Sequence, residues 1–92
     1  MLVILEYLHS TSNNKSLSKY HIITKIPELK QQRQDRISFI LRTLEKNGLI
    51  ISTETPNATF YRITEKGNMA YLKWVSDFLK FFRHVRNDNE NQ

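Results

Sequence analysis

The chain has 92 residues and no cysteine, so it is long enough for one folded domain and cannot form disulfides or thiolate metal sites. No apolar stretch approaches the roughly 20 residues that span a bilayer, and the short apolar start lacks the length and basic residues of a signal peptide, so we expect a cytoplasmic protein. A net charge of +5, with 39% hydrophobic and 25% charged residues, argues against a disordered chain and favours a polyanionic partner.

Two helices are predicted at the start of the chain. Residues 2–9 carry leucines spaced three residues apart and indicate a first helix, which the polar loop of residues 10–14 follows. A second helix begins at Ser16 or Ser18, either of which can cap it. It ends before Pro27, because proline keeps the preceding residue out of the α region. The residues expected to form its buried face are Leu17, Tyr20, Ile23 and Ile26.

A third helix is predicted over residues 32–47, after a turn at residues 27–31. Its apolar residues have the i, i+3, i+4, i+7 spacing of one buried face. These residues are Ile37, Ile40, Leu41 and Leu44. Gly48 supplies the left-handed conformation that ends many helices. Phe39 lies outside this pattern; we expect it in the core, and the alternative is an exposed position beside a bound partner.

A β-hairpin follows the third helix. Residues 49–53 and 60–63 are rich in β-branched and aromatic residues and flank a turn at residues 55–58. The order helix, helix, turn, helix, hairpin, helix predicts a winged helix-turn-helix, a mainly α fold with a small β-hairpin (α+β). In this interpretation residues 1–67 form the domain that binds DNA, and the third helix enters the major groove.

The last helix is predicted to begin after Thr64, which can cap it, and to end at Val85 or Arg86, before a disordered tail at residues 87–92. Gly67 in its first turn indicates a close approach to the preceding strand. Apolar residues at heptad spacing predict a dimer interface. They are Tyr71, Val75, Phe78, Phe82 and Val85. We expect the helical segment, residues 68–86, to pair with the same segment of a second copy, because a domain of this size can cover only one apolar face of the helix. The alternative is that the apolar residues form a single wide face that packs on the core.

Two sequence motifs resemble those of a known family. Residues 44–50 (LEKNGLI) resemble the junction between recognition helix and wing in prokaryotic winged-helix regulators, and residues 61–67 (YRITEKG) resemble the exit from the wing. The long last helix is similar to that of small archaeal and archaeal-virus winged-helix proteins, some of which dimerise through it. The resemblance covers about residues 1–86 and implies a transcription regulator or a chromatin-associated protein.

The positive charge is concentrated in one segment. Residues 15–42 contain seven basic and two acidic residues, whereas the rest of the chain contains seven of each. Glutamine can pair with adenine and arginine with guanine, so the polar start of the third helix is suited to reading bases; the alternative is an ordinary solvated helix start. The candidate base contacts are Gln31, Gln32, Arg33 and Arg36. The candidate phosphate contacts are Lys19, Lys25, Lys30, Arg42, Arg62 and Lys66. Asp35 can pair with a basic residue of its own helix.

No catalytic, metal or cofactor site is expected. His9, His21 and His84 are far apart in the sequence, and no nucleotide-binding or hydrolase motif occurs. The expected partners are double-stranded DNA and a second copy of the chain, without a membrane or a small-molecule effector. Three functions remain open: a sequence-specific regulator located at the nucleoid, a weakly specific chromatin protein, and a protein-interaction module that uses the last helix. The wing tip, residues 54–59, has no basic residue and favours the second.

Overall fold

The computed structural model describes residues 2–11 and 15–90, with side chains up to residue 83. Its elements are α1 (Leu2–Thr11), β1 (Leu17–Ser18), α2 (Lys19–Lys25), a 3₁₀ turn (Pro27–Leu29), α3 (Gln34–Lys46), β2 (Ile50–Glu54), β3 (Thr59–Ile63) and α4 (Glu65–Glu90). Four helices and a small antiparallel sheet in this order form a winged helix-turn-helix with a long C-terminal helix. The predicted fold class is therefore confirmed. Residues 12–14 of the predicted first loop lie outside the described residues.

One hydrophobic core joins α1, α2, α3 and the sheet. The largest side chains that are fully buried are Ile4, Leu8, Ile22, Ile37, Leu41, Leu44 and Ile50. The apolar face predicted for α3 is buried, because residues three and four apart lie on the same side of a helix. This packing leaves the opposite side of α3 facing solvent.

The N-terminus of α2 is capped by Ser18, one of the two predicted candidates. Its Oγ accepts a hydrogen bond from the backbone N–H of His21 at 3.0 Å, which satisfies one of the unpaired donors of the first turn. The helix ends at Lys25, before Pro27, as predicted.

The buried face of α2 differs from the prediction. Tyr20 is 79% exposed, whereas Ile22 is fully buried. The predicted face was counted from Leu17, but that residue belongs to β1 and the helix begins only at Lys19. The prediction was wrong only at Tyr20 and missed Ile22, because Ile26 is buried and Leu17 and Ile23 pack against the core.

The junction between α3 and the wing is a Schellman motif. Gly48 has a φ of 75°, and its N–H donates to the carbonyl of Glu45 at 3.0 Å. The N–H of Leu49 donates to the carbonyl of Leu44, also at 3.0 Å. These bonds satisfy carbonyls that the end of a helix leaves unpaired, and the predicted role of Gly48 is confirmed.

The wing belongs to a sheet of three strands in the order β1-β3-β2, all antiparallel. Strand β1 pairs Leu17 with Tyr61. It was not predicted, because two residues are too few to show the alternation that marks a strand. The predicted hairpin pairs β2 with β3, and Thr55 closes its turn by donating its N–H to the carbonyl of Ala58 at 2.8 Å.

Helix α4 begins where the sequence predicted. The Oγ1 of Thr64 accepts from the N–H of Gly67 at 3.0 Å, so Thr64 caps the helix. A Cβ on Gly67 would collide with the carbonyl of Leu49 and approach the Cγ1 of Ile63 to 2.8 Å, which confirms the predicted close approach. The helix continues to Glu90, past the predicted end, because extending an existing helix costs little without proline or glycine.

Most of α4 extends away from the core. The His9 Nδ1 donates to the Oδ1 of Asn68 at 2.8 Å, and the rings of His9 and Tyr71 lie 4.9 Å apart, so α1 covers the first turns of α4. The molecule measures 61 × 28 × 21 Å and has a radius of gyration of 15.9 Å, against about 12 Å for a compact domain of this length. The projecting helix accounts for this elongation.

Candidate nucleic-acid interface

Helix α3 begins two residues later than predicted. The N–H of Gln32 donates to the carbonyl of Leu29 at 3.1 Å, so Gln31 and Gln32 belong to the connection after the 3₁₀ turn and not to the helix. Arg33 occupies the N-cap position with extended backbone (φ −70°, ψ 150°). Of the candidate base contacts, only Arg36 is on the helix proper. No residue of the cap-forming types marks this boundary, since the N-cap residue is Arg33 and its side chain makes no capping hydrogen bond.

The candidate base contacts nevertheless share one surface, which we call the α3 groove. Its lining residues are Gln31, Gln32, Arg33, Asp35, Arg36, Phe39 and Arg42. All of these side chains are exposed, and the groove is an open depression of about 710 Å³. The structure therefore brings together the glutamines and arginines that were singled out from composition and position alone.

Asp35 pairs with the side chain of Arg33 at the start of α3. Its Oδ1 lies 3.3 Å from the Nε of Arg33 and accepts the backbone N–H of Arg36 at 3.0 Å. The side chains of Arg33 and Asp35 are 85% and 71% exposed, so the ion pair contributes little to stability. A carboxylate in the first turn also faces the positive end of the helix dipole. The pair predicted for Asp35 is therefore present, and its role is local positioning.

Phe39 lies in the α3 groove and not in the core, which corrects the prediction. Its side chain is 53% exposed. Residue 39 is two positions after the buried Ile37, or about 200° around the helix, so its ring points away from the core. The Arg36 Cζ lies 5.9 Å from the ring centroid, within the range of a cation–π contact. Hydrophobicity alone predicted burial, whereas the helical angle of residue 39 indicates exposure.

Three of the candidate phosphate contacts lie on or next to α3. Arg42 lines the groove, and Lys30 is exposed just after the 3₁₀ turn. Lys19 is half-buried, and its Nζ donates to the Oγ of Ser38 at 2.9 Å. That hydrogen bond holds Lys19 on the side of α3 that faces the wing, so a phosphate would have to compete with Ser38 for its ammonium group.

The other three candidate phosphate contacts lie elsewhere. Lys25 lines a separate depression next to α1, together with Glu6 and Glu28. Arg62 is exposed on β3, and Lys66 lines a depression at the start of α4. The sequence placed these residues together only by their charge and nearness to the predicted motifs. These residues are separated by the packing of α1 and α4, and the distribution of charge along the sequence does not predict that packing.

A second depression, the wing groove, separates α3 from the inner face of the hairpin, and several of its polar side chains are acidic. The Ser52 Oγ donates to the Oε1 of Glu45 at 2.6 Å, and Glu54 lines the same depression. Burial, and then the carboxylates of Glu45 and Glu54, raise the pKa of the Tyr61 hydroxyl. The wing groove therefore has a mixed lining, because the basic Lys19 and Arg42 lie beside Asp35, Glu45 and Glu54.

The predicted dimer residues divide between two environments. Phe78 and Phe82 are more than half exposed and Val75 is half-buried, whereas Tyr71 packs against His9 and the core of its own domain. Tyr71 therefore contributes to the packing of its own domain, and the role predicted for the other residues in a dimer stays a prediction. The side chain of Val85 lies outside the described residues.

The exposed apolar surface of α4 is wider than the predicted heptad. The large apolar side chains exposed beyond Tyr71 are Leu72, Trp74, Phe78, Leu79, Phe81 and Phe82. The rings of Trp74 and Phe78 stack at 5.7 Å with an interplanar angle of 15°. Together these side chains occupy about half of the helix circumference. We call this surface the apolar face of α4.

The described residues contain no cluster of three or more histidine, cysteine, aspartate or glutamate side chains arranged to hold a metal ion. His21 instead forms a hydrogen bond with the hydroxyl of Tyr7 at 2.8 Å, and His9 packs against α4. Among the described helices, none combines the length and the apolar character that are needed to cross a bilayer.

No protein-family model matches the sequence, and no curated protein matches it either. A functional conclusion therefore depends on the fold, the α3 groove and the apolar face of α4.

Proposed function

We propose that this chain binds double-stranded DNA as a homodimer and regulates transcription, with the start of α3 in the major groove. The observation that carries the proposal is the α3 groove, where Gln31, Gln32, Arg33 and Arg36 line one exposed surface. Glutamine pairs bidentately with adenine and arginine with guanine, so this surface has the chemistry that reads base edges. DNA as the partner also implies a cytoplasmic protein located at the nucleoid.

The charges around α3 also favour a pose with the start of α3 in the major groove. Arg33, Arg36 and Arg42 line the groove against a single acid, Asp35, and the N-terminus of α3 adds the positive end of its dipole. Phosphates next to the groove would release counterions when these charges contact them, so binding should weaken as salt rises. The wing tip, residues 54–59, has no basic residue, which favours a pose in which α3, and not the wing, makes most contacts.

A second copy of the chain fits the apolar face of α4. Six large side chains there are exposed by about half or more, which is on the order of 100 Å² each. Two copies would therefore bury about 1,200 Å², the lower end of the range for specific interfaces. Exposed apolar patches of several hundred Å² mark interaction sites in soluble proteins. The dimer would place two α3 grooves on one duplex.

The test begins with an unbiased selection of duplexes by the purified chain, followed by measurement of Kd at several salt concentrations. The double variant Arg33→Ala/Arg36→Ala should lose at least tenfold in affinity, because each arginine contributes about 1–3 kcal/mol when it contacts a base. It should also show a smaller dependence of affinity on salt. The matched control, Lys73→Ala/Lys80→Ala, removes the same charge from the polar side of α4.

Equal losses in the two double variants would mean that net charge alone attracts the duplex, and the proposed orientation would be wrong. A wild-type chain without affinity for any duplex at low salt would overturn the proposal altogether. The apolar face of α4 would then favour the second candidate function, a protein-interaction module.

The selection also separates a regulator from a weakly specific chromatin protein. A regulator should prefer its selected duplex over random duplexes by about a thousandfold or more. The wing tip without basic residues, residues 54–59, is the feature that favours weak specificity, since the wing then adds few contacts. A ratio near one would identify the chromatin-type function while leaving duplex binding by α3 intact.

A further inference from the structure

We infer that Phe39 is a specificity-determining residue that contacts the methyl group of thymine, so that one of the base pairs read by the α3 groove is A·T. The inference rests on the proposed function and adds the identity of one base pair in the site. It begins from an anomaly: a phenylalanine that is 53% exposed on the outer side of α3, in a groove that is otherwise polar.

Phe39 lies on α3 between a candidate base contact and a candidate phosphate contact. Arg36 lies one turn before it and Arg42 about one turn after it on the same exposed side. In helix-turn-helix proteins the recognition helix lies in the major groove, and residues on the exposed side of its first turns contact base edges, whereas phosphate contacts position the protein without reading sequence. A phenyl ring offers no hydrogen bond to a phosphate oxygen, so contact with the backbone would bring Phe39 little stabilisation.

The major groove presents one apolar group that a phenyl ring can bury, the C5-methyl of thymine. Gln31 and Gln32 line the same groove, and glutamine is suited to the adenine of such a base pair. The Cζ of Arg36 lies 5.9 Å from the ring centroid, so the ring lies beside a candidate base contact. Phe39 and the two glutamines are therefore chemically complementary to the two bases of an A·T pair.

The experiment compares duplexes that differ only in the methyl group. Two alternating duplexes of about two helical turns are used, one of adenine and thymine and the other with uracil in place of every thymine. The wild-type chain should bind the thymine duplex about fourfold or more tightly, since burying one methyl contributes roughly that ratio. The Phe39→Ala variant should bind both duplexes alike. Ile51→Ala, which shortens an exposed apolar residue on β2, should keep the wild-type ratio.

The wild-type ratio requires no substitution in the protein, so the test does not depend on the folding of a variant. Duplex binding with a ratio near one would overturn the inference and leave the proposed function standing. A ratio that persists in Phe39→Ala would also overturn it, because the methyl would then act through DNA shape or another residue. Absence of binding to every duplex, including the selected one, would instead refute the proposed function.

Discussion

Gly67 fixes the distance between α4 and the wing. The place where its Cβ would lie is filled by the Leu49 carbonyl and the side chain of Ile63. Next to it, Thr64 caps the helix, and its hydroxyl donates a hydrogen bond to the carbonyl of Gly48 at 2.6 Å. Backbone atoms cannot move aside as the end of a flexible side chain can. A residue with a side chain at this position must push α4 away from the sheet.

We therefore expect Gly67→Ala to lower the free energy of unfolding by about 2–3 kcal/mol, the cost of overpacking a tight site. The control is Ser76→Ala, at an exposed position of the same helix, which should change it by less than about 0.5 kcal/mol. Urea unfolding followed by circular dichroism measures both. Helix propensity alone would stabilise Gly67→Ala by about 1 kcal/mol, and that result would contradict the close approach.

Ionisation of Tyr61 makes the stability of the folded chain depend on pH in the alkaline range. Burial first, and the carboxylates of Glu45 and Glu54 second, raise the pKa of its hydroxyl above the ordinary value of 10.0. The folded chain thus holds this proton more tightly than the unfolded chain does. The resulting stabilisation is fully present below pH 10 and is lost as the pH rises through the higher pKa of the folded state.

Tyr61→Phe removes this ionisation, so the variant should gain stability relative to the wild type as the pH increases from 8 to above 10. Urea unfolding at both pH values measures the difference, and Tyr20→Phe is the matched control for removing one phenol. A constant difference between Tyr61→Phe and the wild type at the two pH values would contradict a raised pKa.

At the scale of the elements, α2 is short and depends on its cap. It has seven residues, and a helix of that length is unstable without capping and tertiary contacts. Ser18 also pairs with Phe60 in the sheet, so the cap ties the start of α2 to the strand that supports the wing. Loss of the cap should therefore weaken the helix-turn-helix as well as α2.

Ser18→Ala should destabilise the protein by about 1 kcal/mol, the usual cost of losing a serine cap. Ser16→Ala makes the same chemical change two residues earlier, outside the helix, and should have a much smaller effect. The midpoint of thermal unfolding distinguishes the two variants. Equal effects would mean that α2 begins earlier than the structure has it.

Local signals predicted most of the fold because each acts within a few residues. The caps at Ser18 and Thr64, the left-handed Gly48 and the apolar spacing of α3 are examples. Features that depend on distant packing were missed or misplaced, such as strand β1, which exists only because β3 lies beside it. The candidate site followed the same division: residues adjacent in the chain share the α3 groove, whereas cations grouped by charge alone lie on separate surfaces.

At the scale of the whole molecule, the elongated shape follows from a helix that is longer than the body it packs on. A helix of 26 residues extends about 39 Å, and α1 covers only its first turns. The apolar face therefore continues where the domain has no surface to bury it. A two-fold pair of such helices would set the separation of the two α3 grooves, and half-sites one DNA turn apart, roughly 34 Å, are the spacing that helix-turn-helix dimers use.

The proposed dimer predicts the mass of the protein in solution. The wild-type chain should have twice the 11.0 kDa of one chain in light scattering, and Phe78→Glu should have the mass of a monomer, because a carboxylate would be buried without a partner at the interface. Lys73→Gln changes the charge by the same amount on the polar side of α4 and should remain dimeric. Phe78 is 52% exposed in the single chain, so its substitution should leave the monomer's circular dichroism unchanged. A wild-type mass equal to that of one chain would refute the dimer. In that case we expect the selected duplexes to contain a single half-site.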